Sequence, residues 1–197
     1  MSIQARRERE RAERERMIVT AARELAEAEG WEAVTTRRLA DRVEYSQPVL
    51  YSHFAGKDAI MAAVAVEGFA ELGAALRAAR TPARTSAREP ADPRRTLADV
   101  AAAYTAFADR HPALYEVMFI RTLDLPFGRP ETPGALRAAF GELLEAVRPV
   151  AGDDDPETLT ETFWSGLHGL VTLLRNGRLR PAERARRLAM LVDRFSR

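Results

Sequence analysis

Apolar residues recur at intervals of three and four along almost the whole chain, and the alternation that marks a half-buried strand is nearly absent. Ile18, Ala21, Ala22, Leu25 and Ala28 share one helical face ahead of Gly30, a residue suited to the left-handed position that ends a helix. The spacing predicts a first helix over about residues 12–29. Thr35 and Thr36 offer hydroxyl caps to a short second helix with Leu39, Ala40 and Val43 on one side. After a break at Glu44-Tyr45, Ser46 is placed to cap a third helix ending near His53, and Pro48 fits its first turn, where amide hydrogens have no intrahelical partner. Gly56 opens a fourth helix reaching Arg80. At a rise of about 1.5 Å per residue it spans roughly 35 Å, enough to join two domains.

Residues 81–95 hold three prolines, several arginines and almost no large apolar side chain, which predicts a linker or loop. Beyond it Leu97, Val100, Ala101, Tyr104 and Phe107 mark a fifth helix to Arg110. His111-Pro112 restarts the chain into a short sixth helix, and residues 122–134 form a second breaker-rich loop. A seventh helix covers about 135–148, Asp155-Pro156 opens an eighth that runs to Asn176-Gly177, and Pro181 opens a ninth with Ala185, Leu188, Val192 and Phe195 on one stripe. The expected class is all-α with about nine helices. The expected division is a three-helix domain over 1–56, a connecting helix over 57–80, a linker over 81–95 and a helical C-terminal domain over 96–197.

Composition narrows the field without deciding it. No run of about 18 uncharged apolar residues is present, so no membrane span is expected. The N-terminus lacks the apolar segment of a secretory signal and the chain contains no cysteine, which favours the cytoplasm. His53, His111 and His168 fall in separate segments, and Asp153 to Asp155 reads as a capped helix start, so neither a metal site nor a cofactor is expected. The net charge is only +1, and residues 1–58 balance eleven cations against eleven acids. A phosphate-binding surface therefore has to come from sidedness. Within residues 1–16, six arginines face four glutamates; alternating signs four apart point to a solvated helix extension rather than a DNA-contacting arm.

Two short helices joined by a tight turn, the second with a polar face, suit a helix-turn-helix reader, although any three-helix bundle contains such a pair. The order of residues adds to this. The segment TTRRLADRVEYSQPVLYSHFAGKDAI, residues 35–60, resembles the DNA-binding domain of the tetracycline-repressor (TetR) family of transcriptional regulators, with its Thr pair, Leu-Ala pair, Ser-ended turn, L-Y-x-H-F and following Lys. The resemblance implies a helix-turn-helix domain joined by a long fourth helix to a ligand-binding and dimerisation domain. Leu50 and Phe54, four apart, belong to the core. Tyr51, His53 and Lys57 would donate to phosphates, Thr36 and Arg37 would touch backbone, Gln47, Pro48 and Ser52 would meet base edges, and the capping residue Ser46 would belong to the same DNA-binding surface. Taken singly, Tyr51, His53 and Lys57 also fit ordinary packing or solvated surface. Where the family commonly has Gly in the turn, this chain has Glu44.

In the C-terminal half, FWSGLHGLVTLL (163–174) looks like the Trp-x-x-x-His-Gly segment of one TetR subgroup. Trp164 and His168 share a helical face, and with Tyr104, Phe107, Tyr115, Met118 and Phe119 they either line an effector cavity or simply pack. The resemblance further implies a homodimer built from the last two helices, with Leu167, Val171, Leu174, Leu188 and Phe195 as candidates, some of which must face the internal core instead. The expected partners are a palindromic double-stranded operator, a small-molecule effector and a second copy of the chain. The expected function is a ligand-responsive regulator, a repressor released by its effector. An all-helical enzyme or small-molecule carrier without DNA binding is the alternative.

Overall fold

The computed structural model describes residues 2–81 and 92–196, and every regular element among them is helical. In chain order these are α1 (Ile3–Glu29), α2 (Thr36–Arg42), α3 (Gln47–His53), α4 (Lys57–Arg80), α5 (Pro93–Arg110), α6 (Pro112–Phe119), α7 (Gly134–Val147), α8 (Pro156–Arg175) and α9 (Arg184–Phe195). Single 3-10 turns occupy Trp31–Ala33, Arg148–Val150 and Pro181–Glu183. The all-α class is the one that the hydrophobic period predicts.

Three boundaries differ from the pattern. α1 starts at Ile3, with Ser2 accepting a hydrogen bond from the amide of Ala5 at 3.2 Å. Its first turns are laced by Arg6–Glu10 (3.2 Å) and Arg11–Glu15 (2.8 Å). Such pairs are worth a few tenths of a kcal/mol each and support helix without apolar periodicity. α5 starts at Pro93, because a proline loses nothing in a first turn and Asp92 accepts from the amide of Arg94 at 3.0 Å. Of the expected linker over 81–95, residues 82–91 lie outside the described residues. At the other end, Pro181 opens a 3-10 turn and α9 follows from Arg184.

The chain divides into two compact units, Met1–Gly68 with His111–Pro133, and Phe69–Arg110 with Gly134–Arg197. The first unit therefore takes in α6, which lies far along the sequence from α1. Two side chains explain this. The carboxylate of Glu27 accepts from the amides of Ala113 (3.1 Å) and Leu114 (3.0 Å), satisfying first-turn donors that have no partner within the helix. The indole of buried Trp31 donates to the carbonyl of Ala113 at 2.7 Å. α4 completes the contact at Gly68, where a Cβ would fall 2.6 Å from Sδ of Met118.

In the second unit α5, α7, α8 and α9 pack around Leu97, Val100, Tyr104, Leu143, Phe163, Leu167 and Val192. Gly166 lets α8 meet α9, since a Cβ there would lie 2.8 Å from Leu191. Glu142 is buried between Arg77 and Arg80, which donate to its two oxygens at 2.7 and 2.9 Å. Burial alone would raise its carboxyl, but the two guanidinium groups outweigh this and hold it below the ordinary 4.5. α4 is, by length and composition, apolar enough to cross a membrane. Glu67 and Glu71 interrupt it, and its apolar side is buried inside the protein: Ile60, Met61 and Val64 in the first unit, Phe69, Leu72 and Leu76 in the second.

Candidate nucleic-acid interface

α2 is capped by Thr35, whose hydroxyl accepts from the amide of Arg38 at 3.2 Å, and it buries Leu39 and Ala40. It ends in a left-handed turn. The amide of Tyr45 donates to Ala40 at 2.9 Å and that of Glu44 to Asp41 at 3.4 Å, the paired closure that needs a positive φ at the first residue past the helix cap. Glu44 supplies it with φ +57°, and among the described residues it is the only non-glycine to do so. The chain thus keeps the geometry of a glycine turn with a side chain that is strained by it.

The turn delivers Ser46 to the N-cap of α3, where its extended backbone positions the helix although its hydroxyl makes no capping bond. Only Leu50 of this helix is fully buried. Gln47, Pro48, Val49, Tyr51 and Ser52 are all exposed, Tyr51 by half. A two-turn helix anchored on one leucine and presenting an amide, a phenol, a hydroxyl and apolar groups has the size and chemistry of a major-groove reader. Val49 is a contributor that the motif did not single out. Its exposed methyls are suited, like Pro48, to a thymine methyl.

The backbone candidates sort by their partners. Thr36 opens α2 and is half-buried. Arg37 is exposed and has no ion pair among the described residues, whereas Arg38 makes two bonds to Glu29 (2.9 and 2.7 Å) and Arg42 pairs with Glu24 at 2.8 Å. Lys57 donates to the carbonyl of Trp31 at 2.7 Å, which fixes its ammonium near the start of α4 and leaves it further donors. Ser52 donates to Val49 at 2.6 Å and keeps its acceptor lone pairs outward.

His53 departs from expectation. Its side chain is only 7% exposed, and its Nδ1 lies 3.4 Å from Glu15 of α1. Glu15 also accepts from Arg11 at 2.8 Å, which is the main reason its carboxyl sits below the ordinary range. The imidazole is thus turned to α1 instead of standing open at the end of α3.

The C-terminal candidates fall in both units. Tyr115, Met118 and Phe119 lie on α6 in the first, with the rings of Tyr115 and Phe119 at 4.8 Å. Tyr104, Phe107, Trp164 and His168 lie in the second. There the indole of half-buried Trp164 donates to the hydroxyl of fully buried Tyr104 at 3.0 Å, and its ring stands 6.1 Å from the imidazole of His168. Burial pushes His168 below its ordinary 6.5, so it is neutral at physiological pH. Between α5, α8 and α9 a cavity of about 30 Å³, lined by residues including Thr105, Val171 and Leu188, has room for a water and little more.

Two of the dimer candidates need correcting. Leu167 and Val171 are 0% and 4% exposed within this single chain, so they belong to its own core and have no surface to give a partner. Phe195 packs on Phe163 at 5.2 Å, and Leu174 and Leu188 are partly covered. The large apolar side chains that α8 and α9 leave open are Leu173 (45%) and Met190 (54%).

Comparison with known proteins bears on both units. Residues 18–64 match the family model of bacterial regulatory proteins of the tetR family, and residues 97–195 match that of the tetracyclin repressor-like C-terminal domain. The chain belongs to the TetR family. It is similar, at 28% identity over 81% of its length and 69% of the relative's, to an uncharacterized HTH-type transcriptional regulator of Mycobacterium tuberculosis. Its fold is shared with a protein of unknown function from Rhodococcus sp. RHA1 (TM-score 0.74, 25% identity, 92% of each chain). It is also shared with PfmR, a TetR family transcriptional regulator from Thermus thermophilus (TM-score 0.62, 21% identity, 91% of this chain and 96% of that one).

As a TetR regulator the protein is a DNA-binding transcription factor and not an enzyme. Within the TetR reader, α1, α2 and α3 follow in the order the motif implied and Lys57 opens α4, while Glu27 and Trp31 were not among the sequence candidates. Trp31 had a visible signal, a large apolar residue directly after a helix-stopping glycine. Glu27 had none, because its partners lie more than eighty residues away.

Proposed function

We propose that this regulator is a cytoplasmic homodimeric repressor that binds a palindromic double-stranded operator and leaves it when a small molecule binds. What carries the reading is the exposed face of α3, anchored by Leu50 and introduced by a capped α2 and a tight turn. In it Gln47, Pro48, Val49 and Ser52 meet base edges, while Thr36, Arg37, Ser46, Tyr51 and Lys57 hold phosphates. His53 supports the end of α3 through Glu15. One seven-residue helix offers too few contacts for specificity, so two readers on a two-fold axis match half-sites about one helical turn, roughly 34 Å, apart. The dimer forms through α8 and α9, with Leu173 and Met190 at its centre.

The effector is a mostly apolar molecule with a polar group. Trp164, His168 and Tyr104 receive it, the neutral imidazole and the phenol acting as hydrogen-bonding anchors. Release follows from differential affinity. The effector favours a spacing of the two α3 helices that the operator does not accept, and α4 carries the change. The test is selection of bound duplexes from a random pool, followed by titration of compounds against the complex. An enriched palindrome, lost in Tyr51→Ala and Lys57→Ala and released by a compound that fails on His168→Ala, is the expected result. An enriched sequence without dyad symmetry, or release unaffected by His168→Ala, refutes the corresponding part.

A further inference from the structure

The buried line of α1 through Leu25, Ala22 and Ile18 does not end where the core ends. Counting back from Ile18 in steps of four and three reaches Arg14, Arg11, Arg7 and Gln4 on the same face. The segment is the helix extension that its alternating charges predict, but the side that is apolar against the core turns into a row of three exposed arginines, a sidedness that reopens the DNA contact its charge pattern had argued against. Arg7 and Arg14 have no ion pair among the described residues, and Arg11 bonds Glu15 at 2.8 Å. The acids of this segment do not cancel the row: Glu10 is tied to Arg6, Glu13 lies on the opposite side, and Glu15 is engaged by Arg11 and His53, leaving Glu8 at its edge.

The row begins at Arg14, next in the chain to the residue of α1 that meets the reading helix. Glu15 touches His53, the last residue of α3, so the turns of α1 that precede it start at the end of the surface that meets DNA. From Arg14 back to Ile3 is roughly 17 Å of helix, the length of about five base pairs at 3.4 Å each. The tetR family model begins at residue 18, so the row lies outside the shared reader. Guanidinium groups bind phosphate through a bidentate fork, and their spacing along a helix carries no base information.

We propose that Arg7, Arg11 and Arg14 bind backbone phosphates of the DNA flanking the base pairs read by α3, enlarging the footprint without altering the sequence read. The proposal rests on the operator reading above. It is tested with the full-length protein, the triple variant Arg7→Gln/Arg11→Gln/Arg14→Gln and the matching triple Lys variant, on the selected duplex with and without about six flanking base pairs, by fluorescence anisotropy across a salt series. The Gln variant should lose about ten- to a hundredfold in affinity for the long duplex at 0.15 M salt. Its dependence of log K on log salt should become shallower by about 0.9 for each phosphate contact removed. It should rank sequences as the wild type does, and it should no longer prefer the long duplex to the short one; the Lys variant should keep most of the affinity. Equal binding and equal salt slopes in wild type and Gln variant overturn the proposal alone, as does a loss that is the same on both duplexes. Intact DNA binding with an altered sedimentation coefficient overturns it too, assigning the row to contacts between copies. A wild-type protein that binds no duplex refutes the operator reading itself.

Discussion

Replacing Glu44 with glycine should stabilise the protein. The left-handed region costs a residue with a Cβ roughly 1–2 kcal/mol, and at φ +57° Glu44 bears that cost in the native state. Glycine removes it but brings a more flexible unfolded chain, worth about 0.4–1 kcal/mol in the opposite direction. The net gain is about 0.5–1 kcal/mol. For a chain of this size that raises the melting temperature by about 1–4 °C. The control is Glu44→Ala, which removes the carboxylate and keeps the Cβ, so its stability should stay close to that of the wild type. Thermal and urea unfolding followed by circular dichroism would measure both. The carboxylate stands exposed at the entrance to α3, where it repels phosphate, so both variants should bind operator more tightly at low salt while only the glycine variant melts higher. If alanine stabilises as much as glycine, backbone strain is not the cause. If glycine lowers the melting temperature, the turn is held in a way the φ does not describe.

Acid should weaken the second unit through Glu142: a carboxyl held below 4.5 in the folded state contributes its full stability above that value and loses it as pH falls further. Glu142→Gln should cost about 1–3 kcal/mol at neutral pH and flatten the dependence of unfolding free energy on pH below 4.5, and an unchanged acid limb would contradict this. Glu27→Ala uncaps α6 and should cost about 1–2 kcal/mol, with faster hydrogen exchange at the amides of Ala113 and Leu114 as the local readout. Leu50→Ala should cost about 2–5 kcal/mol and abolish operator binding, because this leucine is the fully buried anchor of α3; retained affinity would mean that α3 is held by something else. Arg37→Gln should weaken binding by a similar factor on every operator variant and flatten the salt dependence by about one unit of slope, whereas a change in sequence preference would move Arg37 from backbone to bases.

What could be read from the sequence was what a helix settles within one or two of its own turns. The period of Ile18, Ala21, Ala22 and Leu25, the caps at Thr35 and Asp155, the prolines at the starts of α3, α6 and α8 and the stop at Gly30 each depend on neighbours three or four residues away. The strained turn at Glu44 was legible for the same reason, since a tight closure after α2 demands a left-handed residue whichever side chain occupies it. Partners distant in the chain were not legible. The pattern shows that α8 has apolar faces, but Leu167 and Val171 on one side are core and Leu173 on another is open, and only the packing of α5, α7 and α9 makes that choice. Likewise His53 looked exposed because Glu15, its partner on α1, lies far from it in the chain, and α6 joined the first unit because a carboxylate and an indole from α1 and the turn after it met its free first-turn groups. Periodicity tells which side of a helix must leave water. It does not tell which surface receives it, because that depends on contacts whose free energy is decided only when the whole chain has closed.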